Sequence, residues 1–200
     1  MIEGRKSHCV VELDDKIYAI GGCKGNNTMS SVERYTTSDG WKFVSSLIVG
    51  RYDAGTVTLN GKIYAIGGNN GKKRLKSVEC YNLDSNTWTP CADMTECHIL
   101  PGVTVHKGHI YVLSFSGAER YDPQQDTWSQ IRSLGFGGGY RACVSLDNEL
   151  WAVSGESYFA VKSCVSVFDE ENFCWIERCS LPKCEVRNCF VVPESLLSSM

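Results

Sequence analysis

The chain has 200 residues, with 20 Lys and Arg against 23 Asp and Glu and a net charge of −3. That length holds about one domain with a sizeable core, and the near balance of charge gives no excess for nucleic acid or a membrane surface. No apolar run has membrane-spanning length and no secretory leader is recognisable, so the expected location is the cytoplasm.

Taken in order, the first expected strand is Cys9 to Leu13. The second is the apolar run in Asp15-Lys16-Ile17-Tyr18-Ala19-Ile20, which ends at Gly21-Gly22. A polar loop over 23–31 leads to Val32-Glu33-Arg34-Tyr35, and Trp41 opens a fourth strand. The connection Ile48 to Asp53 then starts the same series again. Gly55 to Leu59 is followed by Asn60-Gly61, a pair suited to the two positive φ angles of a tight hairpin turn. Lys62-Ile63-Tyr64-Ala65-Ile66 and Gly67-Gly68 come next, then the loop Asn69-Asn70-Gly71-Lys72-Lys73-Arg74, Val78-Glu79-Cys80-Tyr81 and Trp88.

A third copy runs through Gly108-His109-Ile110-Tyr111-Val112-Leu113-Ser114, Ala118-Glu119-Arg120-Tyr121 and Trp128, with a loop about seven residues shorter. A fourth runs through Asn148-Glu149-Leu150-Trp151-Ala152-Val153-Ser154-Gly155, Val165-Ser166-Val167-Phe168 and Trp175. Successive tryptophans are separated by 47, 40 and 47 residues. Four short strands repeated at 40–50 residues define a propeller blade. The expected fold is all-β, with blades near 6–47, 52–94, 99–134 and 140–181 and an extra strand at 187–193.

The joint pattern of Gly21-Gly22 and Gly67-Gly68, Tyr35, Tyr81 and Tyr121, and Trp41, Trp88, Trp128 and Trp175 resembles the kelch family. With Asp93-Met94 and the ending Cys189-Phe190-Val191-Val192-Pro193, it looks most like the C-terminal half of a kelch-like protein with upstream BTB and BACK domains. The resemblance implies a non-enzymatic propeller that binds a protein client for a cullin-RING ubiquitin ligase. Cullin would be bound only through the BTB and BACK parts. An actin-binding kelch module is the alternative. The resemblance also implies a ring of six blades, so the surplus strand at 187–193 suggests two blades upstream. A closed ring of four is the other reading. An incomplete ring would leave apolar blade faces exposed and prone to associate.

In kelch substrate receptors the connections between blades share one face with the loops between second and third strands, and that face binds a peptide. The positions carried onto that face are Arg5, Ser7, Arg51, Asp53, Asn69, Asn70, His98, Tyr140, Arg141, Tyr158 and Phe159. The arginines suit a carboxylate as forked donors, or else they brace neighbouring blades. As a contact, Arg51→Ala would weaken client binding with little change in melting temperature; as a brace, it would cost stability.

Eleven cysteines occur without a Cys-x-x-Cys pair, and are read as reduced thiols. The spacing of Cys164, Cys174, Cys179, Cys184 and Cys189 is not that of common zinc knuckles. No nucleophile–base pair, carboxylate pair or copper-ligand set is recognisable, so no catalytic residue, metal or cofactor is expected.

Overall fold

The computed structural model describes residues 1–131, 139–155 and 163–181. Blade 1 begins with β1 (Cys9–Leu13) and β2 (Lys16–Ile20); after the small hairpin β3 (Cys23–Lys24) and β4 (Asn27–Thr28) it continues with β5 (Val32–Thr36) and β6 (Gly40–Val44). Blade 2 comprises β7 (Gly55–Leu59), β8 (Lys62–Ile66), β9 (Val78–Asn82) and β10 (Thr87–Cys91). Blade 3 comprises β11 (Gly102–His106), β12 (His109–Ser114), β13 (Gly117–Asp122) and β14 (Thr127–Ile131). Blade 4 comprises β15 (Gly139–Leu146), β16 (Glu149–Gly155), β17 (Ser163–Asp169) and β18 (Cys174–Leu181). Each blade is an antiparallel sheet in chain order, and no helix occurs among the described residues.

The tight turns form as their residues dictate. Asn60 and Gly61 both have positive φ, as do Asp14 and Asp15, Lys107 and Gly108, and Asp147 and Asn148. These values suit the twist of a two-residue hairpin. The shortened third repeat appears as a bare turn at Phe115 and Ser116 between β12 and β13. The fourth strand of blade 1, expected to open at Trp41, runs over Gly40–Val44.

The core lies between blades. Tyr18, Ile20 and Val32 of blade 1 meet Ile63, Ala65, Tyr81 and Trp88 of blade 2. Tyr64, Ile66 and Val78 of blade 2 meet Ile110, Val112 and Tyr121 of blade 3 in the same way. Tyr111 and Leu113 then meet Leu150, Ala152 and Phe168 of blade 4. The first strands of successive blades run side to side, β1 against β7, β7 against β11 and β11 against β15.

The outward face of blade 1 shows what this packing conceals elsewhere. Trp41 and Tyr35 are only partly covered and Phe43 is 49 % exposed, whereas the matching Tyr81 and Trp88 of blade 2 are buried. Among the described residues the blades do not close into a ring. The expected strand at 187–193 lies outside the described residues.

Candidate functional site

Three sets of ties hold consecutive blades, and the first two lie at the end of the sheets where the long loops lie. The innermost is made of backbone alone. The N–H of Asp53 donates to the carbonyl of Ser7 at 3.0 Å, and the N–H of Leu100 donates to the carbonyl of Asp53 at 2.9 Å. These peptide links pass from one interblade connection to the next along the mouth at the loop end of the blades. Ser7, Asp53 and Leu100 occupy matched positions and share φ values of 53°, 52° and 49°.

Beneath this rim lies a buried ionic tie. Arg51, 1 % exposed, donates through Nη1 to the carbonyls of Gly67 and Ser77, both at 2.8 Å. Its Nη2 reaches Glu79 Oε1 at 2.7 Å. The Glu79 carboxylate also accepts the N–H groups of Ile48 (2.6 Å) and Val49 (3.0 Å), which lie in the connection from blade 1. Blade 1 repeats the arrangement. Arg5 donates to the carbonyls of Gly21 and Ser31 at 2.8 Å and to Glu33 at 2.6 Å, while Ile2 and Glu3 donate to Glu33 through their N–H groups. In blade 3 an imidazole stands in for the guanidinium. His98 Nε2 is 2.9 Å from Glu119 Oε1, and Nδ1 is 2.6 Å from Ser114 Oγ.

Arg5, Arg51 and His98 were carried onto the binding face as contacts. Their side chains turn inward and brace the blades: the planar forks of Arg5 and Arg51 each match two carbonyls and a carboxylate at once, and the His98 ring bridges Ser114 and Glu119. Arg141 falls outside this series. Ala142 pairs with Val153 as Gly55 pairs with Ile66, and Arg141 lies at a register shift between Tyr140, which pairs with Ser154, and Ala142. Counted along the sequence, four residues before Ala142 as Arg51 is before Gly55, stands Gly138, which lies outside the described residues. The glutamate is gone as well: Ser166 faces Ala152 where Glu79 faces Ala65. A cation without its carboxylate, or the reverse, would leave a buried charge unpaired.

The outermost tie uses the aromatic pairs. Trp88 Nε1 donates to the carbonyl of Ser45 at 3.0 Å, and Trp128 Nε1 donates to that of Ala92 at 2.9 Å. Asn86 Oδ1 accepts both Tyr81 Oη (2.8 Å) and the N–H of Ser45 (3.1 Å). Asp126 does the same for Tyr121 (2.7 Å) and the N–H of Ala92 (2.8 Å).

Burial alone would raise the pKa values of Glu33 and Glu119. The opposing hydrogen bonds win: from the N–H of Ile2 and Glu3 and then Arg5 onto Glu33, and from His98, Thr95 and Glu96 onto Glu119. Both carboxyls end below the ordinary glutamate value. Their stabilisation is therefore complete above the unfolded value of about 4.3 and is lost as pH falls through the lower folded value. The urea midpoint should fall steeply below that pH, and Glu119→Gln should flatten the slope. A midpoint level down to pH 3 would contradict this.

What remains exposed is a rim of loop residues. Ser7 and Asp53 stand at the mouth with partly or fully exposed side chains. Lys6 and Cys23 exchange backbone hydrogen bonds, as do Tyr52 and Asn69, tying each interblade connection to the neighbouring loop. Asn69 and Asn70 shape the blade 2 loop with their own side chains, Asn69 accepting the N–H of Gly71 and Asn70 those of Lys72 and Lys73. Tyr140 enters this end through the backbone of β15, where it pairs with Ser154. Tyr158 and Phe159 lie outside the described residues. Leu100 and Phe115 escaped sequence reasoning, although the alignment of Leu100 with Ser7 and Asp53 could have found the first of them.

A cleft of about 430 Å³ opens beside blade 3, lined by His98, Ser116, Glu119, Gln130 and Ile131 among others. Blades 1 and 2 fill this place with the buried side chains of Leu47 and Met94, whose N–H groups donate to Ser30 and Lys76. Each lies three residues beyond its blade's last strand, and the same count from Ile131 reaches Leu134. Leu134 lies outside the described residues.

Among the described residues the cysteines are free thiols. Burial pushes Cys9 up to about 12, so it carries almost no thiolate at neutral pH.

This order of strands, with the paired glycines and the Tyr–Trp contacts, defines β-propeller blades. The Kelch motif matches residues 4–47 and 50–95, and the chain carries kelch repeats. It is 29% identical to the mouse (Mus musculus) protein Kelch-like protein 35 over 199 residues, covering 96% of this chain. It spans 26% of the length of that relative.

Proposed function

We propose that this propeller is the client-binding part of a BTB–kelch adaptor that brings proteins to a cullin-RING ubiquitin ligase in the cytoplasm. The loop rim carries the proposal: exposed side chains with varied chemistry stand on a frame tied at three radii. Function on such scaffolds lies in the loops rather than in the sheets. Likeness to Kelch-like protein 35 over nearly the whole chain supports the adaptor reading. The propeller performs no chemistry here; it holds a client by its outer rim.

Affinity capture decides the matter. A full-length version carrying this propeller should recover a cullin together with proteins whose turnover depends on it, and the 200-residue chain alone should recover clients without cullin. Recovery of actin without any cullin from the full-length protein would replace this reading with a cytoskeletal one.

A further inference from the structure

The loop rim has an uneven chemistry. Lys24 lies in the loop of blade 1, and Lys72, Lys73 and Arg74 in that of blade 2; all four are exposed. None of them forms an ion pair among the described residues. The two loops touch, since a methyl group on Gly71 would come within 2.8 Å of Thr28 Oγ1. The four cations therefore stand on adjoining loops, held by backbone pairing and by the side chains of Asn69 and Asn70.

Blade 3 breaks the pattern. Its loop is cut to a turn, so the rim steps down there. At the positions of Ser7 and Asp53 it places Leu100, 50 % exposed, and at the position of Gly22 and Gly68 it places Phe115, 63 % exposed. Asp93 and Glu96, both exposed, lie in the connection between blades 2 and 3. They repel carboxylates from the step, so the acidic residues of a ligand sit over the first two blades and only an uncharged side chain suits the step.

We propose that this rim binds an acidic peptide segment that also carries an apolar side chain. Carboxylates meet Lys24, Lys72, Lys73 and Arg74, and the apolar side chain rests against Leu100 and Phe115. This rests on the protein-binding reading above and names the chemistry of its client. A peptide fits better than a nucleic acid, because the cations occupy two adjacent loops while the whole chain is net negative at −3. A long polyanion would need a continuous basic track.

The test uses the 200-residue chain and fluorescein-labelled twelve-residue peptides built from Asp, Glu, Gly and Ser around one central Leu. Binding should weaken as salt rises and fall by about tenfold in the variant Lys72→Glu, Lys73→Glu, Arg74→Glu. Replacing the central Leu by Ser, or Phe115 by Ser, should weaken binding several-fold. All these substitutions are at exposed positions, and unchanged melting confirms that the frame persists. Equal binding of a peptide with Lys for each acid, no response to charge reversal, or equal binding of a twelve-nucleotide DNA strand would overturn the proposal. If clients are captured equally by the charge-reversed variant, the acidic chemistry fails and the adaptor reading stands. If the unaltered propeller captures no client, the adaptor reading itself fails.

Discussion

Arg51→Ala should lose about 3–5 kcal/mol of stability, the range for removing one partner of a buried ion pair. In a chain of this size, each kcal/mol moves the melting temperature by roughly 2–4 °C, so the expected drop is large in any thermal scan. The size of the effect follows from what is left behind. Two carbonyls, those of Gly67 and Ser77, lose their donor, and Glu79 keeps its negative charge in a buried site with only the N–H groups of Ile48 and Val49. Arg51→Lys should recover only part of the loss, because an ammonium cannot present two parallel donors in one plane. Arg74→Ala, an exposed cation, is the control and should stay within about 0.5 kcal/mol of the parent. A shift for Arg51→Ala as small as the control's would return Arg51 to the binding surface.

Gly67→Ala is the second large effect. Gly67 has φ of +62°, and a Cβ there would meet the carbonyl oxygen of His98 at 2.6 Å. That oxygen belongs to the connection into blade 3 and accepts the N–H of Gly68 at 2.8 Å. The left-handed backbone alone costs an alanine about 1–2 kcal/mol. Displacing a backbone hydrogen bond adds about 1 kcal/mol, and the clash with fixed backbone adds to both. Gly61→Ala separates these contributions. Gly61 has φ of +69° with nothing within 4 Å of the added carbon, so only the conformational cost applies. Urea unfolding of the two variants should place Gly67→Ala clearly below Gly61→Ala. Equal values would mean that the blades do not need the close approach at the diglycine.

The repeat was legible because each strand carries its own marker. The apolar run with its glycines places the second strand, and the aromatic and tryptophan place the third and fourth. The sequence also contained the ionic tie, although it was read as two features. Arg5 and Glu33 are 28 residues apart, Arg51 and Glu79 are again 28 apart, and His98 and Glu119 are 21 apart across the shortened loop. Alternation along β5 and β9 puts each glutamate on the same face as a buried alanine, Ala19 or Ala65. A carboxylate on an apolar face requires a partner, and the constant spacing names it. Arginine type alone left both readings open, contact or brace, and neither reading named the glutamate as the partner. Leu100 and Phe115 were missed for another reason. The repeat alignment sets Leu100 beside Ser7 and Asp53 and Phe115 beside Gly22 and Gly68, but it does not show that both side chains stay exposed.

The backbone links at the mouth separate the frame from its contents. Peptide groups make the links, so the side chains at those positions are left out of the holding. Ser7, Asp53 and Leu100 differ in size, charge and polarity, yet they hold one backbone conformation within a few degrees. The mouth thus works like a set of sockets of a single gauge. The left-handed backbone there limits which side chains enter, but among those that fit, size, charge and polarity vary from blade to blade while the links between the connections stay the same.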